Sequence, residues 1–116
     1  MSITRYHGTA KGRCRTTVHN GLVHTVATDT VGGTSVAEQT ANTLAAIDAN
    51  LAEAGSDKTQ LIQATVYLRD MSTKAEMDEV WCDWIGPPEN WPQRACVGTD
   101  LAGDDLVEIV VVAAQS

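Results

Sequence analysis

The sequence predicts an α+β fold, in which a mixed six-stranded sheet carries two helices on one face. Three observations indicate this: strand-like segments in the first and last parts of the chain, two stretches of helical period between them, and one strand separating those two stretches. The resulting order, β-β-β-α-β-α-β-β, favours right-handed crossovers and a single layer of helices. The other face of the sheet then has no cover within one chain, so we expect other subunits to supply it.

The first third of the chain is predicted to form three strands. Residues 3–6 are a short candidate, and residues 15–19 and 22–27 flank Asn20-Gly21, the dipeptide most typical of two-residue hairpin turns. Thr, Val and His in both arms suit a half-buried sheet. We therefore expect an antiparallel hairpin here.

The most clearly defined helix is predicted over about residues 35–54. Ser35 and Glu38 form an S-x-x-E capping box at its start, and Gly55 follows its last residue as a C′ glycine. An Ala-rich apolar stripe recurs at helical spacing and is expected to pack on the sheet. Its members are Ala37, Ala41, Leu44, Ile47 and Leu51.

A strand and a second helix follow. Residues 61–68 alternate between two faces, which is typical of a strand. The second helix begins near Ser72, and Gly86-Pro87-Pro88 ends it. Its buried stripe is predicted to contain Met77, Trp81 and Trp84.

Two strands close the chain, over residues 93–99 and 106–113, with the turn Ala102-Gly103-Asp104 between them. The last strand reads LVEIVVVA, and this nearly unbroken apolar run predicts burial on both of its faces.

Composition limits the classes of function. A chain of 116 residues is expected to form one domain, residues 1–116. Its net charge of -7 argues against a nucleic-acid partner. The histidines show no metal-ligand spacing, so we expect no metal site. No apolar run reaches the roughly 18 residues of a membrane span, and no signal peptide is evident. For that reason we expect no membrane contact. Three widely spaced cysteines fit reduced thiols, so we expect a cytoplasmic protein.

Arg94 is the first candidate for chemistry, because it lies in WPQRACV within an otherwise apolar strand. A guanidinium there must be paired or must face a cleft, since burying an uncompensated charge is costly. Its planar fork matches a carboxylate in bidentate geometry. Two interpretations stay open: an anchor for a ligand carboxylate, or a structural ion pair with an Asp or Glu of this acidic chain.

Glu108 is the second candidate, as the only charge in LVEIVVVAA. A lone carboxylate in a buried strand occurs at many working sites, but Arg94 or backbone N–H groups could equally satisfy it. Strand alternation puts Cys96 on the Arg94 face. No Cys–His pairing is visible, so we interpret Cys96 as a small buried residue whose backbone could still contact a ligand.

Two segments carry a resemblance to a known family. EQTANTLAAIDANLAEAGSDKTQLIQATVYLRDMSTKAEMDEVWCDWI resembles the helix–strand–helix centre of the RidA/YjgF reactive-intermediate deaminases. PQRACV followed by LVEIVVVAA resembles that family's closing signature, P-x-R-x-x-V and then V/I-E-I. The resemblance covers roughly residues 15–114.

The resemblance implies a fold like that of bacterial chorismate mutase. It also implies a homotrimer, whose three sheets form a central barrel with clefts between subunits. Members hydrolyse 2-imino or enamine acids, released by pyridoxal-phosphate enzymes, to 2-keto acids and ammonia, and they use no cofactor. The expected partner is therefore a small molecule that carries a carboxylate.

The resemblance also implies roles for particular residues. Arg94 matches the arginine that grips the substrate carboxylate, and Cys96 matches a position whose backbone contacts substrate. Glu108 matches the glutamate that positions water or relays a proton. If the last two strands formed a simple tight hairpin, Arg94 and Glu108 could fall on opposite faces of the sheet, so a bulge or an intervening strand is needed to bring them together.

The sequence departs from the family pattern at three places on the substrate cleft. Cys14 stands near a position where active members carry Tyr. Thr25-Val26-Ala27 replaces a T-S-G-like segment, so Cys14 and Ala27 are the expected substrate-binding positions on the second wall. Asp78 aligns with an Asn of the second helix.

There are two alternatives to an imine deaminase, and the departures at Cys14, Ala27 and Asp78 motivate the first of them. One is a non-catalytic trimer that binds small keto acids or other carboxylates in a regulatory role. The other follows from labels attached to this family, endoribonuclease or translation inhibitor, and the net charge of -7 counts against it.

Overall fold

The computed structural model describes residues 2–116 and contains six strands and two helices in the predicted order. Three short 3-10 turns, Lys58–Gln60, Met71–Thr73 and Pro88–Asn90, accompany them. The elements are β1 (Thr4–Tyr6), β2 (Thr16–His19), β3 (Leu22–Ala27), α1 (Val36–Glu53), β4 (Leu61–Leu68), α2 (Lys74–Ile85), β5 (Gln93–Gly98) and β6 (Val107–Ala114).

The strands form one mixed sheet in the order β1-β2-β3-β6-β4-β5. All neighbours pair antiparallel except β4 and β5, which are parallel because α2 carries the chain from one to the other. Both helices cover the same face, and the molecule is only 21 Å thick along its shortest axis. The predicted α+β architecture with one helical layer is therefore confirmed.

The predicted hairpin is also confirmed. β2 and β3 pair in register from Thr16↔Thr25 to His19↔Leu22. Asn20 and Gly21 have φ of 52° and 77°, the left-handed values that a type I′ turn requires at both central residues.

The ends of α1 follow the predicted signals, with one difference. The Ser35 hydroxyl accepts a hydrogen bond from the Glu38 N–H at 3.1 Å, but the Glu38 carboxylate binds the N–H and hydroxyl of Thr34 instead of closing the box on Ser35. At the other end Gly55 has φ 79°, and the bond from Ser56 N–H to Leu51 C=O at 2.9 Å completes a Schellman motif.

The buried stripe of α1 was predicted incorrectly in its first half. Thr40 and Thr43 are buried, whereas Ala37 is half-buried and Ala41 is exposed. The buried face of α1 therefore includes polar residues, and Gln39 is one of them. Its amide donates to the carbonyls of Gly33 and Asp104 and accepts from the Leu106 N–H, so it joins the loops before α1 and before β6.

The last strand is not buried on both faces, contrary to the prediction. Val107, Ile109, Val111 and Ala113 are buried beneath the helices, while the alternate residues from Glu108 onward are only half-buried. β6 is central in the sheet, but a single chain has just one layer of helices to cover it. The α2 stripe differs too: Met77 and Trp81 are buried as predicted, while Ile85 takes the buried place expected for the half-buried Trp84.

Candidate functional site

Arg94 lies on β5, beside Ala64 of β4, and points to the helix-covered side of the sheet. Its Nη2 donates to Asp78 Oδ1 of α2 at 2.6 Å, and its guanidinium carbon lies 5.2 Å from the centre of the Trp81 ring. The side chain is 19% exposed, so the guanidinium still reaches solvent. The α2–β5 crossover thus brings Arg94 against a carboxylate and an aromatic ring.

Asp78 bridges two cations, because Lys74 Nζ donates to its other oxygen at 2.7 Å. Burial opposes ionisation of this carboxyl, but the hydrogen bonds from Lys74 and Arg94 outweigh it and hold the pKa of Asp78 below its usual range. Two positive charges therefore face one negative charge, which leaves the cluster one positive charge in excess. The ion pair considered for Arg94 exists, with Asp78 as its partner, and Glu108 takes no part in it.

A cavity of about 330 Å³ opens beside this ion pair. We call it the Arg94 groove. Its lining is Asp78, Trp81, Cys82, Ile85, Trp91, Pro92 and Arg94. Arg94 therefore has both of the surroundings considered from the sequence, an internal carboxylate partner and an open space.

Cys96 lies two residues beyond Arg94 and is half-buried on the same face. Burial raises the pKa of its thiol, and the nearby positive charges of Arg94 and Lys74 offset this only in part. The thiol therefore stays protonated near neutral pH and is a poor nucleophile. This agrees with the interpretation of Cys96 as a small packing residue.

A second cavity, of about 390 Å³, lies at the other side of the molecule, and we call it the Glu108 pocket. Cys14, Ala27 and Glu108 line it together, along with Arg13 and Asp105. The Ala27 side chain is 9% exposed and lies towards the helices, so this residue offers mainly its backbone to the pocket. Burial raises the pKa of the Asp105 carboxyl.

Arg94 and Glu108 lie on opposite faces of the sheet. Arg94 pairs with Ala64 and Glu108 pairs with Tyr67 on the same intervening strand, β4. Ala64 and Tyr67 are three residues apart, and an odd separation puts two strand residues on opposite faces. The intervening strand therefore separates the two candidates instead of bringing them together within one chain.

Two residues were missed by sequence reasoning: Lys74, which pairs with Asp78 beside the Arg94 groove, and Trp91, which lines the groove. Lys74 contributes the second cation, and the i, i+4 spacing to Asp78 on a helix was a usable signal for that pair. Trp91 is 62% exposed, and its position in WPQR three residues before Arg94 was the available signal. Lys74 was overlooked because the second helix was interpreted only through its buried stripe, whereas Trp91 lies beyond the end of that helix, in the segment that leads into β5.

Within residues 2–116, no group of three or more His, Cys, Asp or Glu side chains is arranged to hold a metal ion. None of the helices in that range has the length and apolar character needed to cross a bilayer. In the described part of the chain, Cys14, Cys82 and Cys96 are free thiols.

Sequence comparison connects the chain to known proteins. The family model described as Endoribonuclease L-PSP matches residues 2–115. A RutC family protein of Haemophilus ducreyi is 41% identical over 78 residues, which cover 66% of this chain and 66% of that protein. The RutC family protein YoaB of Escherichia coli K12 is 42% identical over 78 residues, or 66% of this chain and 68% of that protein. The aligned stretch thus spans about two thirds of these relatives.

Solved structures share the whole fold. A YjgF family member from Neisseria meningitidis has a TM-score of 0.92 at 42% identity, covering 100% of this chain and 97% of that one. A member of the YjgF/YER057c/UK114 family from Mycobacterium tuberculosis has a TM-score of 0.86 at 26% identity, covering 97% of this chain and 99% of that one.

Proposed function

Since this chain belongs to the RidA/YjgF family, we propose that it hydrolyses 2-imino and enamine acids to 2-keto acids and ammonia, without a cofactor. The observation that carries the proposal is the Arg94 groove. A guanidinium held at 2.6 Å by Asp78 borders a cavity large enough for a small acid, and the surrounding charges leave one positive charge in excess. A substrate monoanion would neutralise that charge.

The proposed chemistry needs little covalent assistance. Arg94 holds the carboxylate, which fixes the adjacent imine carbon in place. Glu108 orients a water molecule towards that carbon and accepts its proton. An enamine first tautomerises to the imine, which moves a proton from nitrogen to its β-carbon. The water oxygen bonds to the imine carbon, and the proton that Glu108 accepted passes to the imine nitrogen. The proton of the new hydroxyl then passes to the nitrogen as the C–N bond breaks, so ammonia leaves and the carbonyl of the keto acid forms from the added oxygen.

A second copy of the chain would complete the site. The Arg94 groove and the Glu108 pocket lie on opposite faces of one sheet, so a single chain cannot offer both to one ligand. The half-buried apolar residues on the open face of β6 favour association through that face. We propose a homotrimer in which one subunit supplies Arg94 and its neighbour supplies Glu108, Cys14 and Ala27.

Turnover can be tested directly. A serine dehydratase generates 2-aminoacrylate, and keto-acid and ammonia release are followed with and without this protein. Several amino-acid-derived imines should be supplied in turn by amino-acid oxidases. We expect acceleration over the spontaneous rate, lost in Arg94→Ala and retained in Arg5→Ala, a control at an exposed arginine of β1. Rates equal to buffer with every imine would refute the deaminase.

The shared site has its own test, by coexpression of Arg94→Ala with Glu108→Gln. If each site combines two subunits, mixed trimers contain some sites with both native residues, and about a quarter of wild-type activity should return by random assembly. If both residues act within one chain, every site lacks one of them and the mixture stays inactive. Light scattering on the same samples reports whether the trimer forms.

The alternative is a trimer that binds keto acids or other small carboxylates without turnover. One observation favours it: Asp78 already occupies one edge of the Arg94 guanidinium. Calorimetry that shows tight binding of a keto acid, together with no imine hydrolysis, would select this function. The free thiols fit a reducing compartment, so we propose a cytoplasmic location for either activity.

RNA cleavage, which the name of the matching family model indicates, is less compatible with this chain. Its net charge of -7 opposes a polyanion, because affinity for nucleic acid comes largely from neutralising phosphates. Salt-sensitive cleavage of RNA by pure protein, abolished by Arg94→Ala, would reverse this conclusion.

A further inference from the structure

Trp91 is an exposed aromatic side chain held in a fixed position. It is 62% exposed, yet its indole Nε1 donates to the Gly86 carbonyl at 2.9 Å. The segment around it is fixed as well, since the Asn90 amide donates to the Ile85 carbonyl at 3.0 Å and the Trp91 N–H to the Pro88 carbonyl at 3.1 Å. An indole fixed in advance loses little conformational freedom when a ligand covers it.

The Arg94 groove has a charged end and an apolar end. Arg94 and Asp78 form the charged end. Trp81 and Ile85 are 6% and 1% exposed, and they form an apolar floor. Trp91 and Pro92 border the same space. A two- or three-carbon acid bound at Arg94 would leave this apolar part in water.

We infer that the Arg94 groove selects ligands that join a carboxylate to a large apolar or aromatic side chain, with Trp91 as the residue that determines this preference. As a substrate class this rests on the proposed function, and it means imino acids derived from aromatic or branched amino acids. The carboxylate meets the excess positive charge beside Arg94, and the side chain covers the indole. A cavity of about 330 Å³ is within the roughly 300–1,000 Å³ range of small-molecule pockets.

Binding of stable keto acids tests this separately from turnover. Calorimetry with phenylpyruvate, 4-methyl-2-oxopentanoate and pyruvate should give dissociation constants at least about tenfold lower for the two larger acids than for pyruvate. Trp91→Ala should reduce this ratio to about twofold or less, because the aromatic wall is removed. Trp91→Phe keeps an aromatic face and should retain most of the ratio.

Trp84→Phe is the matched control. Trp84 is on the same helix as Trp81 but does not line the groove, and its indole donates to Asp48 of α1. The ratio in Trp84→Phe should equal that of the wild type. Light scattering on all variants shows whether Trp91 instead contacts a second copy of the chain.

Each remaining outcome is decisive. Equal affinities for the three acids, an unchanged ratio in Trp91→Ala, or no binding of any keto acid would overturn the inference. Dissociation of the assembly on Trp91→Ala would also overturn it and would identify Trp91 as a contact between copies. A preference for the large acids without hydrolysis of any imine would support the inference and defeat the proposed deaminase.

Discussion

The two faces of the sheet differ in how complete they are within one chain. On the helix-covered face, Arg94 is fixed by Asp78 and packs against the Trp81 ring. On the open face, Glu108 is half-buried, lines a cavity, and has no side-chain hydrogen bond with any of residues 2–116. One half of the candidate site is therefore preorganised by the chain itself, whereas the other half has its functional group without a partner. This difference shows that the candidate residues lie in two separate cavities, one formed around an internal ion pair and one around a carboxylate that is unpaired among the described residues.

Arg94→Ala should have the largest effect. Truncating one partner of a hydrogen-bonded charge pair costs about 2–5 kcal/mol, so imine hydrolysis should fall by roughly thirtyfold to several thousandfold. Arg94→Lys keeps the positive charge but loses the planar fork of the guanidinium. Its rate of imine hydrolysis should lie between those of the wild type and Arg94→Ala. Steady-state rates of keto-acid release measure both variants. Arg94→Ala with wild-type turnover would mean that the covered face is not a half-site.

Glu108→Gln should remove activity without affecting stability. Losing a group that moves a proton costs about a hundredfold in rate or more. Because no side chain within residues 2–116 pairs with Glu108, the free energy of unfolding should change by less than about 0.5 kcal/mol. Chemical denaturation measures the second quantity, and Glu79→Gln, an exposed position on α2, is the control for both. A large loss of stability would show that Glu108 has a structural role.

Asp78→Asn tests whether the negative charge of Asp78 weakens the binding of a ligand carboxylate at Arg94. Asp78 opposes an incoming carboxylate, and two unit charges about 4 Å apart in water interact by about 1 kcal/mol. Removing its charge should therefore lower the dissociation constant for a keto acid by roughly fivefold, and more at low salt. Titration calorimetry at two ionic strengths measures this. Weaker binding would mean that Asp78 mainly orients the guanidinium.

The same pair predicts a pH dependence of stability. The folded-state pKa of Asp78 is depressed below its ordinary value of 3.8, so the carboxylate stabilises the fold above that value. This contribution is lost as the pH falls through the folded-state pKa. Wild type should exceed Asp78→Asn in free energy of unfolding at pH 7, and the difference should vanish at the acidic end of a pH series. A constant difference would contradict the assignment.

The smallest expected effect is on the free energy of unfolding and concerns two buried threonines of α1. The hydroxyls of Thr40 and Thr43 are buried without a hydrogen bond among residues 2–116. Thr43→Val preserves the shape and removes the unsatisfied group, so it should raise the free energy of unfolding by about 1 kcal/mol. The control is Thr25→Val. The native Thr25 hydroxyl forms hydrogen bonds with the Thr16 hydroxyl and the Arg15 carbonyl, so its removal should lower the free energy of unfolding. Denaturant melts compare the two.

Most of the fold was predictable because its signals are local. The Asn20-Gly21 turn, the Ser35 cap and the Gly55 stop each depend on residues a few positions apart, and the structure contains all three. The polar buried face of α1 was not predictable. Gln39 is buried because it bonds Gly33 and Leu106, and the second of these contacts spans 67 residues.

The candidate residues of the site were identified from the sequence, but their grouping was not. An intervening strand was expected to be able to bring Arg94 and Glu108 together; β4 does intervene, but the registers of β5 and β6 on it put them on opposite faces. Cys14, Ala27 and Glu108, by contrast, line one cavity even though they are far apart in the chain. Alternation along each strand separates its two faces, but which residue of β4 lies opposite Arg94 or Glu108 depends on how the strands pair in the sheet.

The amino-acid sequence by itself determined the order of the elements, the helix-covered face and the family, because periodicity, turn residues and a closing motif are properties of neighbouring positions. Only the tertiary structure decided that Asp78 pairs with Arg94 and that Trp91 borders the same groove. The physical reason is that the position of the crossover helix α2 on the sheet determines which of its side chains contact β5. That position depends on the burial of apolar side chains throughout the core, which residues far apart in the sequence form together.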